Sequence, residues 1–387
     1  MASAEIPAGT TDRRSRVLIA ESSTLRRVDG ILLFAAVGLA ILGLLMVYSA
    51  THRSLQAFGQ NPTYYLKRQG MFLVVGLVAM TVTALIDYRV FRIYAAFFYL
   101  GSLGLLVLVR TPLGSSALGA QRWFQIAGFQ FSPSLFARLA LIVMLAAFLS
   151  NLKGDVTLRQ VLRAVVIGVI PMFLVFIQPD IGTSIILAAI LVSLLVISGA
   201  RARHLAVLAL VAGLTLFGAF QMGVVKSYQV QRLTSFLDSS KDLQRANYNK
   251  NQAEIAIGAG GLTGKGYLHG SQTNLDFVPE QHTDFIFTVV GEELGFVGAL
   301  FLLGLFGLVL WRAFRIALLA KDPFGTFVAV GVVAMISIQL FVNVGMTIGI
   351  MPITGIPLPF VSYGGSALIA DFIGIGLLEG IHIRRSL

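Results

Sequence analysis

The chain has 387 residues, of which 56% are hydrophobic and only 12% charged, with a mean hydropathy of +0.84. A soluble domain carries about 25% charged residues, so a soluble enzyme with a tail is excluded and a chain that crosses a membrane many times is indicated. The absence of cysteine removes disulfides, thiol catalysis and thiolate metal sites. The net charge of +11 reads as topology signal and contact with membrane lipids, and no nucleic-acid partner is expected.

Residues 1–28 are polar, carry Arg13, Arg14, Arg16, Arg26 and Arg27, and read as a cytoplasmic tail without a cleavable signal peptide. Residues 29–387 form one transmembrane domain. Hydrophobic windows near the ~20 residues a bilayer requires predict about ten spans. They lie at 29–50, 70–86, 92–110, 134–150, 161–177, 181–199, 203–222, 284–311, 324–349 and 366–382. The fold class is therefore all-α, a polytopic membrane protein. An even number of spans puts both termini on one side. The short loops of the other side hold only Arg53, Lys67, Arg68, Arg110 and Arg122, whereas Lys and Arg accumulate beside the termini. Both termini are thus expected in the cytoplasm.

Two outer segments stand out. The loop 223–283, between spans seven and eight, is about sixty residues long and has its own pattern, which marks function more often than filler. It contains Asn247-Tyr248-Asn249-Lys250, an amphipathic stretch from Gln252 to Ile257, and Gly258, Gly260, Gly261, Gly264 and Gly266. These glycines suit tight backbone turns; no nucleotide-binding phosphate loop is present. The segment 350–365 mixes Pro352, Pro357, Pro359, Gly355, Gly364 and Gly365 with apolar residues. It reads as a re-entrant or surface-hugging loop, which must be covered by protein or line a cavity.

The run from Val278 to Phe287 places Glu280, His282 and Asp284 directly before a long apolar span. A carboxylate at the mouth of a membrane helix is costly without a partner or a task. Asp284 could accept a proton there, or could cap the helix; spacing alone allows both. Within the spans the ionisable residues are Arg138, Glu292, Glu293, Asp371 and Glu379. Glu292 lies ~12 Å deeper than Asp284 at 1.5 Å per residue. An Arg138–Glu292 pair is conceivable on these depths, with a structural interhelical ion pair as the favoured reading.

The motifs resemble those of the SEDS family (shape, elongation, division and sporulation), its RodA branch more than its FtsW branch. The resemblance spans nearly everything after the tail. It rests on Gly119-Ala120-Gln121-Arg122-Trp123, Gln178-Pro179-Asp180-Ile181-Gly182-Thr183, Ile255-Ala256-Ile257-Gly258 with Gly260-Gly261, Gly264-Lys265-Gly266 and Gly270-Ser271-Gln272. The strongest parts are Pro279-Glu280-Gln281-His282-Thr283-Asp284-Phe285-Ile286-Phe287, Gly355-Ile356-Pro357-Leu358-Pro359-Phe360 and Ser362-Tyr363-Gly364-Gly365-Ser366. One departure is clear. The family usually reads Gln-Pro-Ser-Glu-x-Ala-Lys at the fourth span, and this chain reads Ser132-Pro133-Ser134-Leu135-Phe136-Ala137-Arg138. Its usual acid is replaced by Leu135 and its lysine by Arg138.

The resemblance implies a peptidoglycan glycosyltransferase that polymerises lipid II at the outer face of the bacterial cytoplasmic membrane during cell elongation, together with a class B penicillin-binding protein. It implies Asp284 as the essential acid, here the candidate base that activates the acceptor sugar hydroxyl. The leaving undecaprenyl diphosphate needs cations. Arg122 is the first candidate; Arg68, Lys67 and Lys265 follow, with lipid-headgroup contact as the alternative for Lys67 and Arg68. Trp123 could stack on a sugar or anchor the chain at the interface. Glu280 and His282 could help hold a divalent cation, Mg²⁺ or Mn²⁺, or hydrogen-bond within their loop, the latter being favoured. Thr283, Ser362 and Tyr363 complete the implied substrate-binding set. The rival readings are a lipid II flippase, whose site would lie near the midplane, and a catalytically silent scaffold for the penicillin-binding protein. An O-antigen ligase is a remoter one.

Overall fold

The structure, a computed structural model, describes residues 28–117, 120–126, 128–152, 154, 156–221, 246–275 and 277–385. Residues 1–27 of the expected tail, Gly119, position 222 and positions 223–245 of the long loop lie outside the described residues. The helices are α1 (Gly30–Ala57), α2 (Tyr64–Leu85), α3 (Tyr88–Ile93), α4 (Ala95–Leu108), α5 (Pro133–Ser150), α6 (Leu158–Ile177) and α7 (Ile181–Ile197). They continue as α8 (Ala202–Gln221), α9 (Ala246–Gly260), α10 (Ser271–Asn274), α11 (Ile286–Leu318), α12 (Pro323–Thr347) and α13 (Gly365–Arg384). Seven, namely α1, α2, α5, α6, α11, α12 and α13, are long and apolar enough to cross a membrane. Shorter apolar helices occupy the other three predicted intervals: α4, α7 and the Ala202–Val211 part of α8. The molecule is a polytopic all-α membrane protein.

Polar residues in the loops set where these helices begin. Asp29 accepts from Leu32 N at 3.2 Å, Asp180 from Thr183 N at 3.1 Å and Asp322 from Gly325 N at 2.8 Å. Thr157 and Gln160 form a capping box at α6, and Pro133 and Pro323 open α5 and α12. Each device satisfies, or makes unnecessary, amide donors that a helix start leaves over.

The last helix, α13, is the most buried of the long ones and packs against α2, α12 and α5. Around it α1 packs on α11, and α12 packs on α5, α7 and α11. Chain direction alternates, so the ends of α1, α4, α6 and α12 gather with the starts of α2, α5, α7, α11 and α13.

A wholly helical reading misses one piece. Between α4 and α5 the chain makes a small antiparallel sheet, β1 (Ser115–Ala117), β2 (Ala120–Ile126) and β3 (Phe129–Phe131). Ser115 pairs with Trp123 and Phe124 with Phe131. Phe129 meets Phe72 of α2 at 5.4 Å between ring centroids, and Phe131 stacks on Phe136 of α5 at 4.9 Å. Ser366 Oγ donates to Gln130 O at 3.0 Å and accepts from Ser132 N at 3.2 Å, fastening the sheet to the start of α13.

The predicted eighth span also differs in detail. Its helix starts at Ile286, not Asp284, runs on to Leu318, and is interrupted at Gly295, where φ is 66° and ψ is −164°. Such a break orphans amides and carbonyls that lipid cannot satisfy. The glycine-rich run before it supplies the partners. Phe296 N donates to Gly261 O at 2.9 Å and Val297 N to Leu262 O at 3.1 Å; Lys265 N donates to Glu292 O and Gly266 N to Glu293 O, both at 3.0 Å. Close approach explains the residue type: a Cβ on Gly264 would sit 2.1 Å from Glu293 O, and one on Gly295 would sit 2.3 Å from Gly264 N.

Candidate active site

Asp284 lies in a turn just before α11. Glu280 starts that turn with φ of 54°, and its carbonyl accepts from Thr283 N at 3.2 Å and from Asp284 N at 3.1 Å. The N-cap position of α11 falls on Phe285, whose side chain makes no capping bond. Asp284 is half-buried. Its backbone is tied to α12 by Asn343, whose Nδ2 donates to Asp284 O at 2.8 Å and to Ile356 O at 2.7 Å. The irregular segment 350–364 passes over the carboxylate: a Cβ at Gly355, where φ is 72°, would lie 3.2 Å from Asp284 Oδ2. That segment is covered by protein, with Ile356, Leu358, Phe360 and Val361 all buried, as non-helical backbone at membrane depth requires.

The same segment is laced to the Asp284 turn. Ser362 Oγ donates to Thr283 O at 2.5 Å and accepts from Leu358 N at 2.8 Å. Tyr363 N donates to His282 O at 2.8 Å. From α2, Gln69 Nε2 donates to Ser362 O at 3.1 Å. The rings of Tyr65, His282 and Tyr363 form a cluster with centroid separations of 4.9, 4.9 and 5.6 Å. Burial pushes the Tyr363 hydroxyl above the ordinary phenol range, against the opposing pull of Arg68. Thr283 Oγ1 donates to Glu280 Oε2 at 3.3 Å, so Glu280 does bond within its loop.

The candidate cations fall into three places. Arg68 sits beside the aromatic cluster, its guanidinium 5.4 Å from the Tyr64 ring and 5.7 Å from the Phe129 ring, and it donates to Gly128 O. Lys67 is its exposed neighbour in the first turn of α2. Arg122, on β2, lies 3.7 Å from Asp180 and 5.1 Å over the ring of Trp123, which is half-buried. Its Nε is buried and has no hydrogen-bond partner among the described residues. Contact reaches from there to Asp284: a Cβ at Gly182, in the turn capped by Asp180, would meet Thr354 O at 3.1 Å, next to Gly355. Lys265 is elsewhere. Its Nζ is 2.9 Å from Glu292 Oε1, in the interior behind the glycine-rich run.

That pairing corrects the expected Arg138–Glu292 contact. Glu292 is fully buried and, besides Lys265, accepts from Gln272 N, Thr273 N, Thr273 Oγ1 and Ser271 Oγ. Nothing is left for a second cation, and Arg138 has other neighbours. Arg138 is itself fully buried and donates to Gln339 Oε1 at 2.5 Å and Leu135 O at 3.3 Å. Its acids are Asp371 of α13 and Asp180. Helical depth alone misled here, because depth says nothing about which neighbour a face meets.

Sequence reasoning did not single out Asn343, Tyr65 or Gln69. Asn343 was visible as an amide in an apolar span, where an interior hydrogen-bonding task is the default; Gln69 falls one residue before the predicted second span. Tyr65 carried no signal beyond an aromatic at a span's outer end.

The profile of a family described as cell cycle protein, FtsW/RodA/SpoVE, matches residues 30–387. The peptidoglycan glycosyltransferase MrdB of Escherichia coli (strain K12) is 41% identical over 351 residues, covering 90% of this chain and 93% of that protein. A probable peptidoglycan glycosyltransferase FtsW of Geobacter metallireducens is 37% identical over 368 residues, 93% of this chain and 96% of that one. Among solved structures, a chain of a peptidoglycan synthase complex that coordinates polymerization and crosslinking superposes with a TM-score of 0.79 at 31% identity, over 93% of this chain and 98% of that one. The rod shape determining protein RodA of Thermus thermophilus gives 0.68 at 29% identity, again over 93% and 98%. The chain belongs to the FtsW/RodA/SpoVE family, the SEDS proteins, as its motifs imply.

Proposed function

We propose that this protein is a peptidoglycan glycosyltransferase of the bacterial cytoplasmic membrane that polymerises lipid II at its outer face, with Asp284 as the base. The observation that carries the reading is the setting of Asp284: a half-buried carboxylate at one end of the bundle, its backbone tied by Asn343 and its oxygen facing the bare backbone of Gly355, with Arg68 and Arg122 at the same end. Asp284 takes the proton of the acceptor's 4-hydroxyl as that oxygen attacks C1 of the donor sugar. The bond from C1 to the phosphate oxygen breaks, and undecaprenyl diphosphate leaves with the electron pair. One displacement inverts the anomeric centre. Charge grows on the leaving diphosphate, and the part-exposed guanidinium of Arg122, held only at 3.7 Å from Asp180, can turn to offer it a charge-assisted hydrogen bond. Thr283, Ser362 and Tyr363 lock the turn so that Asp284 pays little reorganisation when substrate arrives.

Among the described residues no group of three or more His, Asp and Glu converges as a metal site. A Mg²⁺ or Mn²⁺ at Asp284 would therefore take its remaining ligands from the diphosphate and water. The likeness to a chain of a polymerizing and crosslinking complex supports a class B penicillin-binding protein as partner.

The test uses the full chain, purified with its partner and given lipid II. Wild type makes glycan strands; Asp284→Asn makes none, while expression and partner binding persist. Normal strand formation by the Asn variant removes Asp284 from the role. A wild type that binds its partner but never polymerises is a scaffold, and one that only moves lipid II between leaflets is a flippase.

A further inference from the structure

The end of the bundle opposite Asp284, cytoplasmic by the charge asymmetry, carries many cations, and several have partners. Arg89 meets Asp322 at 3.5 Å, Arg384 meets Asp87 at 3.8 Å, and Arg92 donates to Asn151 at 2.5 Å. Arg312 Nε donates to the buried Asp29 at 2.7 Å. Among the rest, two guanidinium groups share one cavity. Arg315, in the last turn of α11, and Arg385, just after α13, have no carboxylate within ion-pair distance among the described residues. They line, with Arg312 and Leu319, a cavity of about 480 Å³. The acids beside the cavity, Asp29 and the neighbouring Glu379, lie next to Arg312 and His382, and neither is within ion-pair distance of Arg315 or Arg385, so that side of the cavity keeps its positive charge.

The surroundings say which anion fits. Trp311 is half exposed, and its ring lies 5.4 Å from the Arg312 guanidinium and 5.9 Å from that of Arg315. Trp and Arg together mark headgroup depth. Phe314, Leu318 and Leu319, on the same helix end, are 51%, 69% and 48% exposed. A free anion has no use for that apolar strip. A molecule with an anionic head and acyl chains uses both parts, with the phosphate between the guanidinium forks and the chains along the strip.

We propose that this cavity binds the phosphate head of an anionic phospholipid in the leaflet opposite the active site. The site is built from the ends of α11 and α13, the two helices whose starts flank Asp284 and Tyr363. It thereby joins leaflet composition to the same two helices that carry the reaction.

The test measures lipid retention by native mass spectrometry of the detergent-purified full chain. The probes are phosphatidylglycerol, phosphatidylcholine with the same chains, and sn-glycerol 3-phosphate as the soluble head. Phosphatidylglycerol is expected to bind roughly tenfold or more tightly than phosphatidylcholine, from one or two charge-assisted bonds. Arg315→Gln with Arg385→Gln removes that preference; Arg159→Gln with Lys321→Gln, which takes the same charge from exposed positions on the same face, keeps it. If the double variant fails to fold, Arg385→Gln alone, at an exposed position, must weaken phosphatidylglycerol at least threefold. Equal binding of the two lipids by wild type, or an unchanged preference in the cavity variants, overturns the site. Equally strong competition by sn-glycerol 3-phosphate makes it a free-anion pocket and overturns the lipid.

Discussion

Lys265 Nζ stands 2.9 Å from Glu292 Oε1, joining the glycine-rich run to the interrupted helix α11 beside its break at Gly295. Glu292 has no exposed surface, while Lys265 keeps 30% of its side chain in contact with the outside. Removing the lysine leaves the carboxylate four other donors. Removing the carboxylate leaves those donors and a cation unmatched. Lys265→Met should therefore cost about 1–2 kcal/mol, and Glu292→Ala about 3–5 kcal/mol. Thermal unfolding in detergent checks the order; a Glu292→Ala protein as stable as Lys265→Met contradicts it.

Arg122 is held loosely, at 3.7 Å from Asp180 and with Nε unpartnered. A guanidinium so placed can turn toward a diphosphate without breaking a strong pair. Arg122→Gln is expected to lower kcat/KM by about 10- to 100-fold, the worth of one charge-assisted contact. Stability should change little. Because the contact strengthens as the leaving group gains charge, kcat should fall more than KM rises. Steady-state polymerisation kinetics separates the two parameters, and a pure KM effect refutes the assignment.

Arg138 faces Asp371 across Gln339, in a chain whose fourth span has Leu135 where the family's acid usually stands. Asp371→Asn takes away a counter-charge from a fully buried guanidinium, with Asp180 remaining. The expected loss is about 2–3 kcal/mol. Leu135 is one helical turn from Arg138, and its carbonyl already accepts from Arg138 Nε at 3.3 Å. Adding Leu135→Glu to Asp371→Asn should recover most of the lost melting temperature. Failure of that rescue would mean that Asp371 supports the fold by some route other than charge.

At the opposite end, burial works against ionisation of Asp322, but the Tyr88 hydroxyl, the Gly325 amide and Arg89 outweigh it and hold the carboxyl below its ordinary value. A carboxylate with a depressed folded-state pKa contributes stability that is present above its unfolded value and is lost as pH falls toward the folded one. The acid limb of a stability–pH curve should thus steepen below about pH 4. Tyr88→Phe removes the 2.5 Å hydroxyl bond to Asp322 and should flatten that limb. An acid limb of unchanged steepness in Tyr88→Phe rules Asp322 out as its source.

The sequence by itself determined the class of this molecule. Twenty-residue apolar runs can do little in water or lipid except form helices, so the predicted intervals all hold apolar helices. Motifs such as Pro279 to Phe287 and Ser362 to Ser366 pointed to the family, and the Asp29, Asp180 and Asp322 caps follow from local chemistry. Tertiary structure alone decided partners. Glu292 and Arg138 lie at compatible depths, yet one meets Lys265 and the other meets Gln339 and Asp371, because depth along a helix is local and the neighbour on each face is not. The sheet that carries Arg122 was invisible for a related reason: its strands are short, and they are held by Phe72, Phe136 and Ser366 from distant helices. The glycines near 264 looked like turn formers until the break at Gly295 showed what their bare backbones approach.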